Sequence, residues 1–303
     1  MIFRKLKAKI WTRKRIKKNN KAKTPVKCKD FIHALDKTTL DSLKKIPLFE
    51  KVCGKVFSTI SDPKTQSFTQ SDCVEITEKQ MCRIYKMVKS ICNKIGIAIP
   101  KLYLKLDGKA EVITYGATTF AIIIHSGILD KYNDDEIYAI LSHECGHIAC
   151  NHTLYHSAIR FILDSGELGL KELGNALNKG GILGTLVSGA ISAGEDALES
   201  LFLQWLKVSE LSADRIAIIC CGECERVIET LMLQEGASRR VVTRINKQTF
   251  IQQAVDYNKE LENNKLNKAF EFFTAKTKSA PMLANRLLEA QKFSKSKEFK
   301  DIL

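Results

Sequence analysis

The sequence predicts a mainly helical α+β domain in which a small antiparallel sheet precedes the first of two long helices. Three observations predict it. β-prone runs cluster between residues 100 and 125. Apolar residues recur at helical spacing from Ile137 to Ile148 and again from Leu206 to Ile219. At 303 residues and 45% hydrophobic content, the chain can also bury a substantial core.

In chain order, residues 1–30 form a basic arm. The net charge is +14, and the first 29 residues carry no acid but include Arg4, Lys5, Lys7, Lys9, Arg13, Lys14 and Arg15. Phe3, Leu6, Ile10 and Trp11 interleave at near-helical spacing. Two readings stay open. One is a solvated basic tail. The other is an amphipathic helix lying on an anionic membrane, where each Lys or Arg contributes about 1 kcal/mol. The arm has no continuous apolar run, so a secretory signal is not expected. Its charge suits a mitochondrial presequence, whereas its lysine-rich, serine-poor composition does not. No recognised nucleic-acid-binding domain accompanies the charge, so nucleic acid is not an expected partner.

Residues 31–303 read as one domain. Helical patterns run from Leu35 to Ile46 and from Glu78 to Lys94, joined by a polar loop near Ser61-Asp62-Pro63-Lys64. Asp107-Gly108, between two of the β-prone runs, signals a hairpin. Residues 164–196 hold half of the 16 glycines and predict a lid or plug between the two long helices. The second long helix should stop at Gly222. A charged helical region from Gln252 to Gln291 follows, with Phe270, Phe272 and Phe273 as packing residues. The best candidate for a membrane span, Gly180 to Gly194, is glycine-broken and shorter than the roughly 20 apolar residues a span needs.

The ten cysteines are scattered, and Cys82, Cys92, Cys145, Cys150 and Cys220 fall in apolar helical patterns. They read as reduced core residues of a cytoplasmic protein, peripheral at the inner membrane surface if the arm binds lipid. Cys221-Gly222-Glu223-Cys224 is a lone CxxC with neither a second pair nor a flanking βαβ pattern, so it reads as a helix end.

The chemistry concentrates at His143-Glu144-Cys145-Gly146-His147, an HExxH pattern. Asn133-Asp134-Asp135-Glu136 supplies a cap and an acidic first turn for its helix. Residues four apart share a helix face, so His143 and His147 can aim at one ion. Glu144 points slightly around the helix, toward a water rather than the ion. Zinc lowers the pKa of such a water toward neutrality, and a carboxylate can take its proton as it attacks a peptide carbonyl. Downstream, Glu210-Leu211-Ser212-Ala213-Asp214 offers a third ligand. Asp214 is placed to accept the second ring N–H of a ligating histidine. His152 and His156 are read as polar residues on the flank of the same helix as the motif.

These residues resemble the HtpX-like gluzincin metallopeptidases, the group that includes the CAAX prenyl endopeptidases. The likeness extends over most of residues 31–303. It takes in Phe31 to Pro47, Pro100 to Leu104, Val112 to Gly116, Ile123 to Leu129 and the end from Ser279 to Leu303. It implies a zincin-type domain with one zinc per chain on His143, His147 and Glu210, Glu144 as general base and Asp214 behind a ligand. It also implies an edge strand at 111–116 that pairs with peptide or unfolded-protein substrates, and a role in protein quality control.

The chain departs from that pattern at two places. Relatives commonly have Asn near Glu111, and His before the proline that is Pro281 here, where this chain has Ala280. No histidine follows His156, so support for the oxyanion falls to Arg286 or Tyr115 beside the zinc. The alternative is a non-catalytic membrane-surface or protein-binding module with a structural zinc, marked by a fourth protein ligand. Cys150 and His152 are poorly placed for that, because neither shares the face of His143 and His147.

Overall fold

The computed structural model describes residues 25–27, 30–46, 49–58, 67–69, 71–117, 119–160, 195–263 and 283–302. Most of the basic arm, the loop at 61–64, the glycine-rich stretch 164–194, Phe270, Phe272, Phe273, Ala280 and Pro281 lie outside them.

The elements, in order, are α1 (Ala34–Lys44), α2 (Phe49–Val56), β1 (Cys73–Glu75), α3 (Cys82–Ile95), β2 (Lys101–Lys105), β3 (Val112–Tyr115) and β4 (Ala121–His125). There follow α4 (Gly127–Lys131), α5 (Asp134–Ala149) and a helix, α6, described over 152–160. The rest are α7 (Glu195–Cys221), α8 (Cys224–Gln234), α9 (Arg239–Val242), α10 (Lys247–Asn263), α11 (Leu283–Lys295) and α12 (Lys297–Ile302).

The sheet is small and precedes the motif helix, but it is mixed rather than antiparallel. Its order is β1-β2-β4-β3, with β2 parallel to β4 and the β1–β2 and β3–β4 pairs antiparallel. The chain does not fold back at Asp107-Gly108 as a β2–β3 hairpin. Instead the loop crosses the end of β4, and side-chain bonds hold it there. Asp107 accepts from His125 Nδ1 at 2.8 and 2.9 Å, and the Gly108 amide donates to Ser126 Oγ at 3.1 Å. This leaves β4 central, with Ile122, Ile123 and Ile124 buried as a strand covered on both faces requires. It also leaves β3 at the sheet edge.

The start of α5 is fixed by a reciprocal cap. The Glu136 amide donates to Asn133 Oδ1 at 3.0 Å, and the Asn133 amide donates to Glu136 Oε2 at 2.8 Å. Buried Glu136 is also paired with Arg239, which ties α9 to this terminus.

Helices α3, α5 and α7, with α8 and α11, enclose the main core with one face of the sheet. A second cluster gathers Leu43, Phe49, Tyr155, Phe202 and Trp205 from α1, α2, α6 and α7. Helices α5 and α7 approach closely at Gly146, where an added Cβ would lie 3.0 Å from the Ala213 Cα and 3.2 Å from the Ile216 Cβ. That approach brings Glu210 beside the histidines. Helix α7 stops at Gly222, whose φ of +73° and amide bond to the Ile218 carbonyl (2.8 Å) form a left-handed stop. Among the described residues no helix is long and apolar enough to cross a membrane, and the described cysteines are free thiols.

Candidate metal centre

Helix α5 presents His143 and His147 one turn apart, and their Nε2 atoms lie 3.1 Å from each other. From α7, Glu210 completes the group, with Oε2 3.3 Å from His143 Nε2 and Oε1 3.5 Å from His147 Nε2. Three donors spaced this way fit the edges of a tetrahedron about zinc, for which ligand distances are about 2.0–2.2 Å. Two imidazoles and a carboxylate are also the donor set of a catalytic rather than a closed structural site. Among the described residues this group of three ligand atoms converges without a fourth member.

Each histidine reserves its other nitrogen. His143 Nδ1 lies 2.9 Å from Asp214 Oδ1. Buried Arg286 grips Asp214 at two points, Nε to Oδ2 at 2.8 Å and a terminal nitrogen to Oδ1 at 2.6 Å. The guanidinium also lies 3.7 Å from Glu210 Oε2. Arg286 is thus committed to Asp214 and Glu210.

Glu144 accepts a 2.5 Å hydrogen bond from Thr114 Oγ1 on β3. No spacing or motif marks Thr114 as a site residue. Only the register that sets β3 against α5 reveals it. Strand alternation puts Tyr115 on the opposite face of β3 from Thr114.

The electrostatics follow from burial in a charged cluster. Burial lifts the Glu144 carboxyl to about 7; His143 and Thr114 pull it down, while Glu210 adds to the rise. Such a value suits a group that takes and returns protons near neutrality. Burial opposes ionisation of Glu210, yet His143, His147 and Arg286 hold it well below the usual carboxylate range. Asp214 is likewise low despite burial, chiefly because of Arg286. Burial would depress His143, but Asp214 and Glu210 carry it up to about 10. His147 is pushed well below its ordinary value by burial and by the neighbouring histidines.

His152 and His156 do not continue on the motif helix. Helix α5 ends at Ala149, and Asn151 takes a left-handed φ of +57° that redirects the chain into α6. The turn carries His152 inward, where it is fully buried with Nδ1 3.0 Å from His147 Nδ1. It therefore meets the second nitrogen of His147 and not the face shared with His143. His156 donates to or accepts from Ser209 Oγ at 2.7 Å.

Comparison with known proteins gives the family. The profile of Peptidase family M48 matches residues 79–293. The plastoglobule-localized metallopeptidase 48 of Arabidopsis thaliana is 22% identical over 277 residues, covering 90% of this chain and 75% of that protein. The protease HtpX homolog of Trichormus variabilis is 25% identical over 187 residues, covering 56% of this chain and 63% of its own length. The metalloprotease YcaL of Escherichia coli is 30% identical over 108 residues, 32% of this chain and 41% of YcaL. The chain thus spans three quarters of the plant relative and less than half of YcaL. With the family profile running from just before α3 into α11, this chain belongs to Peptidase family M48 and is a metalloendopeptidase.

Proposed function

We propose that the chain hydrolyses peptide bonds with one zinc ion held by His143, His147 and Glu210 and with Glu144 as general base. The observation that carries this reading is the convergence of three donor atoms with a separate carboxylate, raised to about 7, beside them. A zinc ion held there supplies Lewis acidity toward a carbonyl and acidifies a water. Glu144 takes the proton of the attacking water and returns it to the leaving amine. Thr114 fixes which carboxylate oxygen remains free to do so. Asp214 orients His143, and Arg286 acts as a positioning residue that neutralises Asp214.

The substrate is an extended peptide added to the edge of the sheet at β3. Pairing through backbone groups gives affinity with little sequence preference, which suits unfolded proteins and a quality-control role. Residues 31–303 serve as the peptidase unit and residues 164–196 as its lid. Residues 1–29 make peripheral contact with anionic membranes at the cytoplasmic face.

The test is casein cleavage by wild type, by chelated protein with zinc restored, and by Glu144→Gln. Wild type is expected to cleave, to stop on chelation and to recover with zinc. Glu144→Gln should retain about one zinc per chain and lose roughly 100- to 10,000-fold in turnover. Full activity in that variant would remove Glu144 from the mechanism.

A further inference from the structure

Behind His147 lies a chain of polar groups that the peptidase chemistry does not itself call for. His147 Nδ1 meets His152 Nδ1 at 3.0 Å, and His152 Nε2 meets Asp36 Oδ2 at 2.9 Å. Asp36 belongs to the first turn of α1, more than a hundred residues away in sequence. His152, Asp36 and Trp205 are each 0% exposed. Asp36 also accepts from Ser212 Oγ at 2.5 Å and from Trp205 Nε1 at 3.0 Å. The Ser212 hydroxyl is in turn held by the His33 amide at 2.9 Å, just before α1 begins.

One set of protons satisfies every link. When the Nε2 of His147 faces the ion, its Nδ1 carries the hydrogen and donates to His152 Nδ1. His152 then carries its hydrogen on Nε2 and donates to the Asp36 carboxylate. The polarity runs from the ligand to an anion, as it does directly from His143 to Asp214. His147 has the same kind of support with one imidazole inserted.

Asp36, Cys150 and His152, like His147, His152 and His156, are close enough to suggest a second metal ion. The hydrogen bonds argue otherwise. Both nitrogens of His152 have partners, the Asp36 carboxylate accepts three donors, and His156 Nε2 is bonded to Ser209.

We propose that Asp36, acting through His152, is a positioning residue that fixes the ring of His147 and sets the zinc affinity of the site from the N-terminal helix. The proposal rests on the zinc-peptidase reading above. It makes α1 a part of the metal site: without its docking, the second ligand histidine loses the acceptor that holds its tautomer and orientation. Carboxylates behind ligand histidines typically account for about ten- to hundredfold in metal affinity.

The test compares full-length wild type, Asp36→Asn and His152→Phe. Asparagine keeps the shape of Asp36 but can donate to His152 Nε2. Turned that way, it drives the His152 hydrogen onto Nδ1, against the His147 N–H; turned the other way, its NH2 meets the Trp205 N–H and His152 keeps only a neutral acceptor in place of the anion. Zinc affinity is read by competition with a chromophoric chelator, ligand geometry by the visible spectrum of the cobalt(II)-loaded protein, and packing by thermal unfolding without metal. Both variants should bind zinc about ten- to hundredfold more weakly, with an altered cobalt spectrum and a smaller rise in unfolding temperature on adding zinc. A merely structural role would lower the metal-free unfolding temperature and leave that rise and the cobalt spectrum intact. Zinc affinity within about threefold of wild type in folded variants, or two zinc ions per chain in wild type, would overturn the relay. If Asp36→Asn does not fold, His152→Phe decides alone, because its ring fills the same space without a hydrogen bond. Wild type that binds no zinc overturns the peptidase reading as well, a result distinct from a variant that matches a zinc-binding wild type.

Discussion

Thr114 donates its hydroxyl to Glu144 across 2.5 Å, joining the edge strand of the sheet to the proposed general base. A hydrogen bond to an ionised group contributes about 1.5–3 kcal/mol. Thr114→Val should therefore cut kcat by about ten- to hundredfold without loss of zinc, while Thr114→Ser stays near wild type. The sign of the pH effect also follows. Thr114 favours the ionised carboxylate, so its removal raises the Glu144 value further above about 7. The acidic limb of the pH–rate profile should then move to higher pH. A profile unchanged in Thr114→Val would mean that Glu144 does not set that limb.

The motif helix, its cap and the α7 acids were legible because each depends on spacing along one element. Helical period alone puts His143 over His147 and Glu210 over Asp214. The mixed sheet was not legible, because a turn signal such as Asp107-Gly108 cannot say which strand the chain will next pair with. That choice is made by distant groups, His125 and Ser126. Thr114 and Asp36 were hidden for the same reason, since their partners lie 30 and 116 residues away. Helical spacing misplaces His152 because one left-handed residue, Asn151, ends the period of α5.

Arg286 separates two roles. As a donor to the reacting carbonyl it would govern kcat; as the partner of Asp214 it governs the state of His143. Its two hydrogen bonds, at 2.6 and 2.8 Å, go to Asp214, and its guanidinium lies 3.7 Å from the Glu210 carboxylate. Arg286→Lys retains the charge but loses the two-pronged grip, and we expect zinc affinity to fall about tenfold while kcat of the zinc-loaded enzyme holds. Arg286→Leu leaves Asp214 buried without its principal partner and should destabilise the fold by about 3–5 kcal/mol. Chelator competition and urea unfolding measure the two effects. A large fall in kcat with zinc affinity intact would restore Arg286 to the oxyanion.

Gly146 sets the distance between the helices that share the metal. The added Cβ of Gly146→Ala would press on the Ala213 backbone at 3.0 Å, and backbone cannot rotate away as a side-chain tip does. Overpacking of this kind costs about 1–3 kcal/mol. It should also push Glu210 back from His143 and His147 and weaken zinc binding. Measured zinc affinity and unfolding midpoint should fall together. A variant that lost stability yet bound zinc like wild type would show that α7 reaches the histidines independently of this contact.

Metal loading should release one proton from His143 at mildly alkaline pH, in addition to any given up by the water that the ion acidifies. In the metal-free protein its value stands at about 10, against an ordinary 6.5, because Asp214 and Glu210 outweigh burial. A raised value means that the proton stabilises the metal-free fold fully below about pH 6.5, a contribution lost as pH rises through about 10. A ligating imidazole must be neutral, so zinc has to displace that proton. His147 is held far below its ordinary value and has none to give. Glu144, near 7, is already ionised at pH 8.5. Calorimetric titration with zinc at pH 8.5, in buffers of different ionisation enthalpy, should therefore report about one proton per zinc more than the same titration near pH 11, where His143 has already lost its own. His143→Ala should abolish that difference along with tight binding. An equal release at the two pH values would show that His143 is neutral before metal arrives, and that Asp214 orients its ring without holding its charge.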